Sequence, residues 1–173
     1  MKKYKIMKNL NEKFTEDSDA VYDMGIGMEK LMQDWFDNDL HMKYPGKDIA
    51  LSVAARHGKI DFVKYLIERG ANPKKKDSDS LQQAAMTGNI EIAKYLLSKK
   101  AKATGNDSLG FRTAARNGDY EMTKLLLDAG ADVNAKGGFA LKMAKLYGHK
   151  NIINLLKQYG ATENIIVKES LIS

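Results

Sequence analysis

The sequence predicts an all-α fold, a solenoid of stacked helix-turn-helix pairs with short loops. Two observations carry this. First, five columns of residues recur every thirty positions through four copies: Gly58, Gly88, Gly118 and Gly148; Ala54, Ala84, Ala114 and Ala144; Ala71, Ala101, Ala131 and Ala161; Leu51, Leu81, Phe111 and Leu141; and Leu66, Leu96, Leu126 and Leu156. Second, the apolar residues within each copy fall at helical spacing, and glycines interrupt them where helices would end. A fixed period of this length marks units that bury their apolar faces only by stacking.

Each copy justifies its own pair of helices. In the first, Leu51, Ala54 and Ala55 share one helical face, and Gly58 breaks the helix at a position suited to a left-handed cap. Phe62, Val63, Leu66 and Ile67 form the stripe of a second helix that ends at Gly70. Ile92, Ala93, Leu96 and Leu97 repeat that stripe, as do Met122, Leu125, Leu126 and Leu127. Small alanines on each first helix admit a close neighbour, while the second helix supplies bulk. In the fourth copy Lys145, Lys150 and Lys157 stand at otherwise apolar positions, which predicts a polar C-terminal cap. Upstream, Ser18 to Leu40 aligns on Gly27 as a degenerate fifth copy. The expected organisation is a capping region at 1–47, repeats at 48–77, 78–107, 108–137 and 138–161, and a tail at 162–173. Ile165, Ile166 and Val167 in that tail are expected to dock on the last repeat or on another chain.

The run Leu51-Ser52-Val53-Ala54-Ala55-Arg56-His57-Gly58, followed by Ile60 to Ile67 and Gly70-Ala71-Asn72, resembles an ankyrin repeat. The third copy, Leu125-Leu126-Leu127-Asp128-Ala129-Gly130-Ala131-Asp132-Val133-Asn134-Ala135, is closest to the family at its end. The resemblance covers about residues 48–161. It departs from the family in period, thirty against about 33, and in lacking the Thr-Pro-Leu-His start of the first helix. Gly58 to Gly70 has the family's normal length, so the shortening must fall in the loops, and binding is expected to shift from loop tips to the first helices.

Composition narrows the class further. With 173 residues, 43% of them apolar, the chain is long enough for a real core. No stretch approaches the roughly 18 to 20 uninterrupted apolar residues of a membrane helix, and the basic start at Met1 to Lys5 lacks the apolar run of a secretory signal. The absence of cysteine removes disulfides, thiolate metal sites and thiol nucleophiles, and fits a reducing, cytoplasmic setting. The net charge of +6 is unevenly placed: residues 12–39 hold nine carboxylates against Lys13 and Lys30, whereas Asp48 onward holds 20 basic and 13 acidic residues.

No catalytic constellation emerges. His41, His57 and His149 form no pair at metal-ligand spacing with a carboxylate. Gly25-Ile26-Gly27 and Gly137-Gly138 neither follow a strand nor lead into a Lys-Ser/Thr pair, so they read as turns rather than phosphate loops. No enzyme, metal or cofactor is expected.

The family resemblance implies that the residues before each helix-ending glycine face a concave groove. These are Arg56 and His57, Met86 and Thr87, Arg116 and Asn117, and Leu146 and Tyr147. Ser52, Gln82, Arg112 and Lys142 are expected as the adjoining exposed column. Arginine and tyrosine beside exposed apolar groups is a composition enriched at binding hot spots. A second basic cluster, Arg69, Lys74, Lys75, Lys76, Lys99, Lys100 and Lys102, lies in the loops as a ridge across two repeats. The expected function is binding of a specific, acid-patched partner protein, to block or sequester it. Similarity to short ankyrin proteins of large viruses, phages and bacteria implies an inhibitor or adaptor directed at host proteins. A basic nucleic-acid binder and a homo-oligomeric scaffold are the alternatives.

Overall fold

The computed structural model describes residues 47–162. The degenerate copy at 18–40, the acidic stretch at 12–39, His41 and the apolar triplet at 165–167 lie outside those residues. The described chain forms eight helices in four pairs: α1 (Lys47–Arg56) with α2 (Ile60–Glu68), α3 (Lys75–Met86) with α4 (Ile90–Ser98), α5 (Gly105–Asn117) with α6 (Tyr120–Asp128), and α7 (Ala135–Leu146) with α8 (Lys150–Gln158). The odd-numbered helices stack on one another, and each even-numbered helix packs on its own partner.

The packing follows from side-chain size. Ala54, Ala84, Ala114 and Ala144 are fully buried, so the stacked helices approach closely. Leu51, Leu81, Phe111 and Leu141 fill the layer beside them, and Phe62, Leu66, Leu96, Met122, Leu126 and Leu156 close it from the even-numbered helices. The core is one continuous sheet of apolar contacts with no boundary between repeats. At the last pair, Lys145 and Lys157 are exposed, where their counterparts Ala115 and Leu127 are buried; Lys150 is exposed as its counterpart Tyr120 is.

The shortened loops have an unexpected form. Each stacked helix after α1 opens with one left-handed turn: Lys76, Asp77 and Ser78; Asn106, Asp107 and Ser108; Lys136, Gly137 and Gly138, all at φ between 47° and 74°. Such a turn costs about 1–2 kcal/mol for each residue with a Cβ. Contacts to the loop that leads into the next stacked helix offset it. Ser78 Oγ accepts from the Lys102 amide at 2.8 Å, and Ser108 Oγ accepts from the Asp132 amide at 3.0 Å. The Asp48 carboxylate does the same for the Asn72 amide at 2.6 Å. Position 138 is glycine because a Cβ there would lie 2.6 Å from the Thr162 carbonyl oxygen, and Asn134 Oδ1 takes the Thr162 amide instead, at 2.8 Å.

At the opposite end of the stacked helices a second ladder ties the repeats. Asn89 Nδ2 donates to the carbonyls of Ala55 and Arg56, at 3.0 and 3.2 Å. His149 Nε2 lies 3.0 Å from the Arg116 carbonyl, which requires the tautomer protonated at that nitrogen. Asp119 turns the other way, capping α6 through the Met122 amide at 2.9 Å. The Asn89 and His149 bonds engage carbonyls at the end of the preceding stacked helix, and the Asp119 bond engages an amide at the start of its own helix.

Candidate protein-binding surface

Four stacked helices that end at the same edge set their last turns side by side. Arg56, Met86, Arg116 and Leu146 form one exposed row there. Beside it run His57, half-buried, and Thr87, Asn117 and Tyr147, all exposed. Leu146 is 69% exposed and Tyr147 is 58% exposed, against 39% for Met86. Tyr147 is not a loose side chain: its ring stacks against His149 with centroids 6.1 Å apart, and His149 is held by the Arg116 carbonyl. Lys142 and Lys145 stand exposed on the same helix as Leu146.

The adjoining column does not behave as its position predicts. Gln82 is only 4% exposed, and Ser52 is buried as well, so neither is open to a partner. Gln82 Nε2 donates to the Gly105 carbonyl at 2.9 Å and to the Asp77 carbonyl at 3.3 Å, while its Oε1 accepts from the Gly110 amide. A polar side chain buried with its donors and acceptor engaged is an interlock between the second and third repeats. Arg112 uses the same geometry one repeat later. Its Nε donates to the Asp107 carbonyl at 2.9 Å, and its guanidinium lies 5.5 Å from the centroid of the Phe139 ring. Position 142 is exposed because no further repeat stacks on it among the described residues.

The sequence reasoning passed over part of this surface. Phe139 and Met143, both half-buried, precede Leu146 by seven and three residues, which places them on its helical face. That spacing was the available signal. Together they extend the apolar ground of the last repeat toward the start of α7.

The six ridge lysines, Lys74, Lys75, Lys76, Lys99, Lys100 and Lys102, are all exposed, at the loop end of the stacked helices. Lys75 pairs with Asp48 at 2.8 Å. Arg69 lies 5.2 Å from the centre of the Tyr65 ring and Lys99 lies 5.3 Å from that of Tyr95. Further along, Lys124 and Tyr159 both bond Asp128, which holds that carboxyl below its ordinary range and raises the Lys124 ammonium and the Tyr159 hydroxyl above theirs. The Lys136 ammonium likewise lowers the Asp107 carboxyl. These pairs are solvent-exposed and contribute little to stability.

Residues 20–107 match the family of ankyrin repeats in three copies, and residues 113–138 match the ankyrin repeat in a single copy. The chain belongs to the ankyrin repeat family. No curated protein matches it in sequence. Ankyrin repeats are protein-interaction modules and are typically without catalytic activity, and the all-α stack described above is their solenoid in a compact, thirty-residue form. Among the described residues no three His, Asp or Glu side chains gather as a metal site would, and no helix is long and apolar enough to cross a membrane.

Proposed function

We propose that this ankyrin protein binds an acidic face of a partner protein along the last turns of its stacked helices, and blocks or sequesters the partner by covering that face. The observation that carries the reading is the exposed pair Leu146 and Tyr147, bordered by Arg116, Lys142 and Lys145. A large apolar group ringed by cations favours a carboxylate-rimmed apolar patch, because burial of the anchor supplies affinity and the charges supply orientation. Arg56, His57, Met86 and Asn117 continue the surface toward the first repeat. Gln82 drops out of the contact set, and Arg112 acts through the stack that it braces. An antagonist of host proteins is the narrowest form of this reading, and its support is the family resemblance of short basic arrays alone.

The test is recovery of a partner on the tagged protein from its native host, after nuclease treatment. A stoichiometric protein should be retained by the wild type and lost by Arg116→Glu and by Leu146→Asp. For the purified pair, Tyr147→Ala should cost about 2 kcal/mol, or roughly thirtyfold in Kd. Retention by both variants, or loss of every partner on nuclease treatment, would sink the proposal.

A further inference from the structure

A second surface sits at the other end of the stacked helices, where the loops join consecutive repeats. Residues 69–76 and 99–102 hold seven cations and no carboxylate. The corresponding stretch of the third repeat, residues 129–136, holds Asp132 against Lys136 and is neutral. Among the fully described loops, the charge is therefore concentrated in two neighbouring ones. Glu68 and Asp77 bound the first of them, and Asp48 engages Lys75.

The backbone shows that lysine is kept there against local preference. Gly70, Gly130 and Gly160 occupy one column, each with φ between 81° and 86°. At the same place in the second repeat stands Lys100, at φ 67°. Glycine takes this conformation without penalty and lysine does not. Strain of this kind marks positions where the side chain has a use. Two further cations are positioned by rings, Arg69 on Tyr65 and Lys99 on Tyr95; the third repeat has Leu125 and Ala129 instead.

We propose that this edge binds the phosphate backbone of double-stranded nucleic acid, without reading its sequence. Lysine ammonium groups engage phosphates as point charges and carry no base code. Stacked helices lie about 8–10 Å apart, close to the roughly 12 Å width of a major groove, so two consecutive loops can meet phosphates on both sides of one groove. A single strand is the poorer fit, since Tyr65 and Tyr95 are half-buried beneath their cations and offer no stacking platform. A membrane surface is poorer too, because among the described residues the exposed large apolar side chains, Met86, Tyr120, Leu146, Tyr147 and Tyr159, all lie outside these two loops.

The experiment is fluorescence anisotropy of a labelled 20-base-pair duplex of arbitrary sequence with the full chain, at 50 to 200 mM salt. Four to six phosphate contacts should lower affinity by about 10²- to 10³-fold over that range. The double variant Lys99→Gln, Lys102→Gln should bind at least tenfold more weakly. Lys100→Gly should also bind more weakly while melting at a higher temperature, which separates lost contact from lost fold. Lys64→Gln, Lys94→Gln on the even-numbered helices removes the same charge and should change affinity less than threefold. Duplex sequence should not matter, and Tyr147→Ala should leave duplex binding unchanged whatever it does to a protein partner. No binding at 50 mM salt, equal loss in the Lys64/Lys94 control, or binding to phosphatidylserine vesicles in place of duplex would each overturn the proposal.

Discussion

Replacing Gln82 with alanine tests the claim that this side chain locks the second repeat to the third. The change would leave the Gly110 amide without its acceptor and the Gly105 carbonyl without its donor, both at buried residues. Each buried polar group left unpaired costs about 1–3 kcal/mol, and the lost side-chain volume adds a cavity, so a loss of about 3–5 kcal/mol is expected. The assay is urea unfolding followed by circular dichroism at 222 nm. With a slope of about 2 kcal/mol per molar urea, the midpoint should fall by about 1.5–2.5 M. Because stability in a repeat array is a sum of repeat and interface terms, weakening one interface should also broaden the transition or split it in two. A midpoint within about 0.3 M of the wild type, with an unchanged slope, would refute the reasoning and return Gln82 to the exposed surface.

Other outcomes follow from the same geometry. Lys100→Gly should raise stability by about 0.5–1 kcal/mol, the relief of left-handed strain less the added entropy of the unfolded chain, read as a rise of about 2 °C in Tm. Gly118→Ala should destabilise by about 1–3 kcal/mol, since φ is 82° there and a Cβ would lie 2.8 Å from the His149 ring; an unchanged melt would show that the ring moves aside freely. For Asp128, bonded by Lys124 and Tyr159, the folded-state pKa lies below the unfolded one, so the stability it lends is present above the unfolded carboxylate pKa and is lost as pH falls through the folded value. An NMR titration should show that depression in the wild type and its loss in Lys124→Gln; a titration unmoved by the substitution would contradict the assignment.

Much of the architecture was legible because its signals are local and repeated. Alanine columns on one helix of each pair and leucine columns on the other report burial directly, and four copies in register leave no other stacking. The exposure of Met86, Arg116, Leu146 and Tyr147 was legible through the family resemblance, which implies that the residues before each helix-ending glycine face outward along one groove. Gln82 was not. Its position is polar in all four copies as Ser52, Gln82, Arg112 and Lys142, and polarity alone reads as exposure. Only stacking shows that the next stacked helix brings the Gly110 amide and the Gly105 carbonyl to it. The left-handed turns were hidden too, because Lys76 and Asn106 carry no local demand for positive φ; what holds the turns are the bonds that Ser78 and Ser108 accept from the amides of Lys102 and Asp132.

By itself, then, the sequence determined the number of described repeats, their helices, the buried columns and the excess positive charge, all properties that a period of thirty and a pattern of apolar spacing encode within a single chain segment. Tertiary structure decided which polar residues are mortar and which are surface, and which backbone amides and carbonyls the buried ones engage. Those depend on what lies opposite a side chain across a repeat boundary, some twenty to thirty residues away, and spacing within one repeat cannot specify that partner.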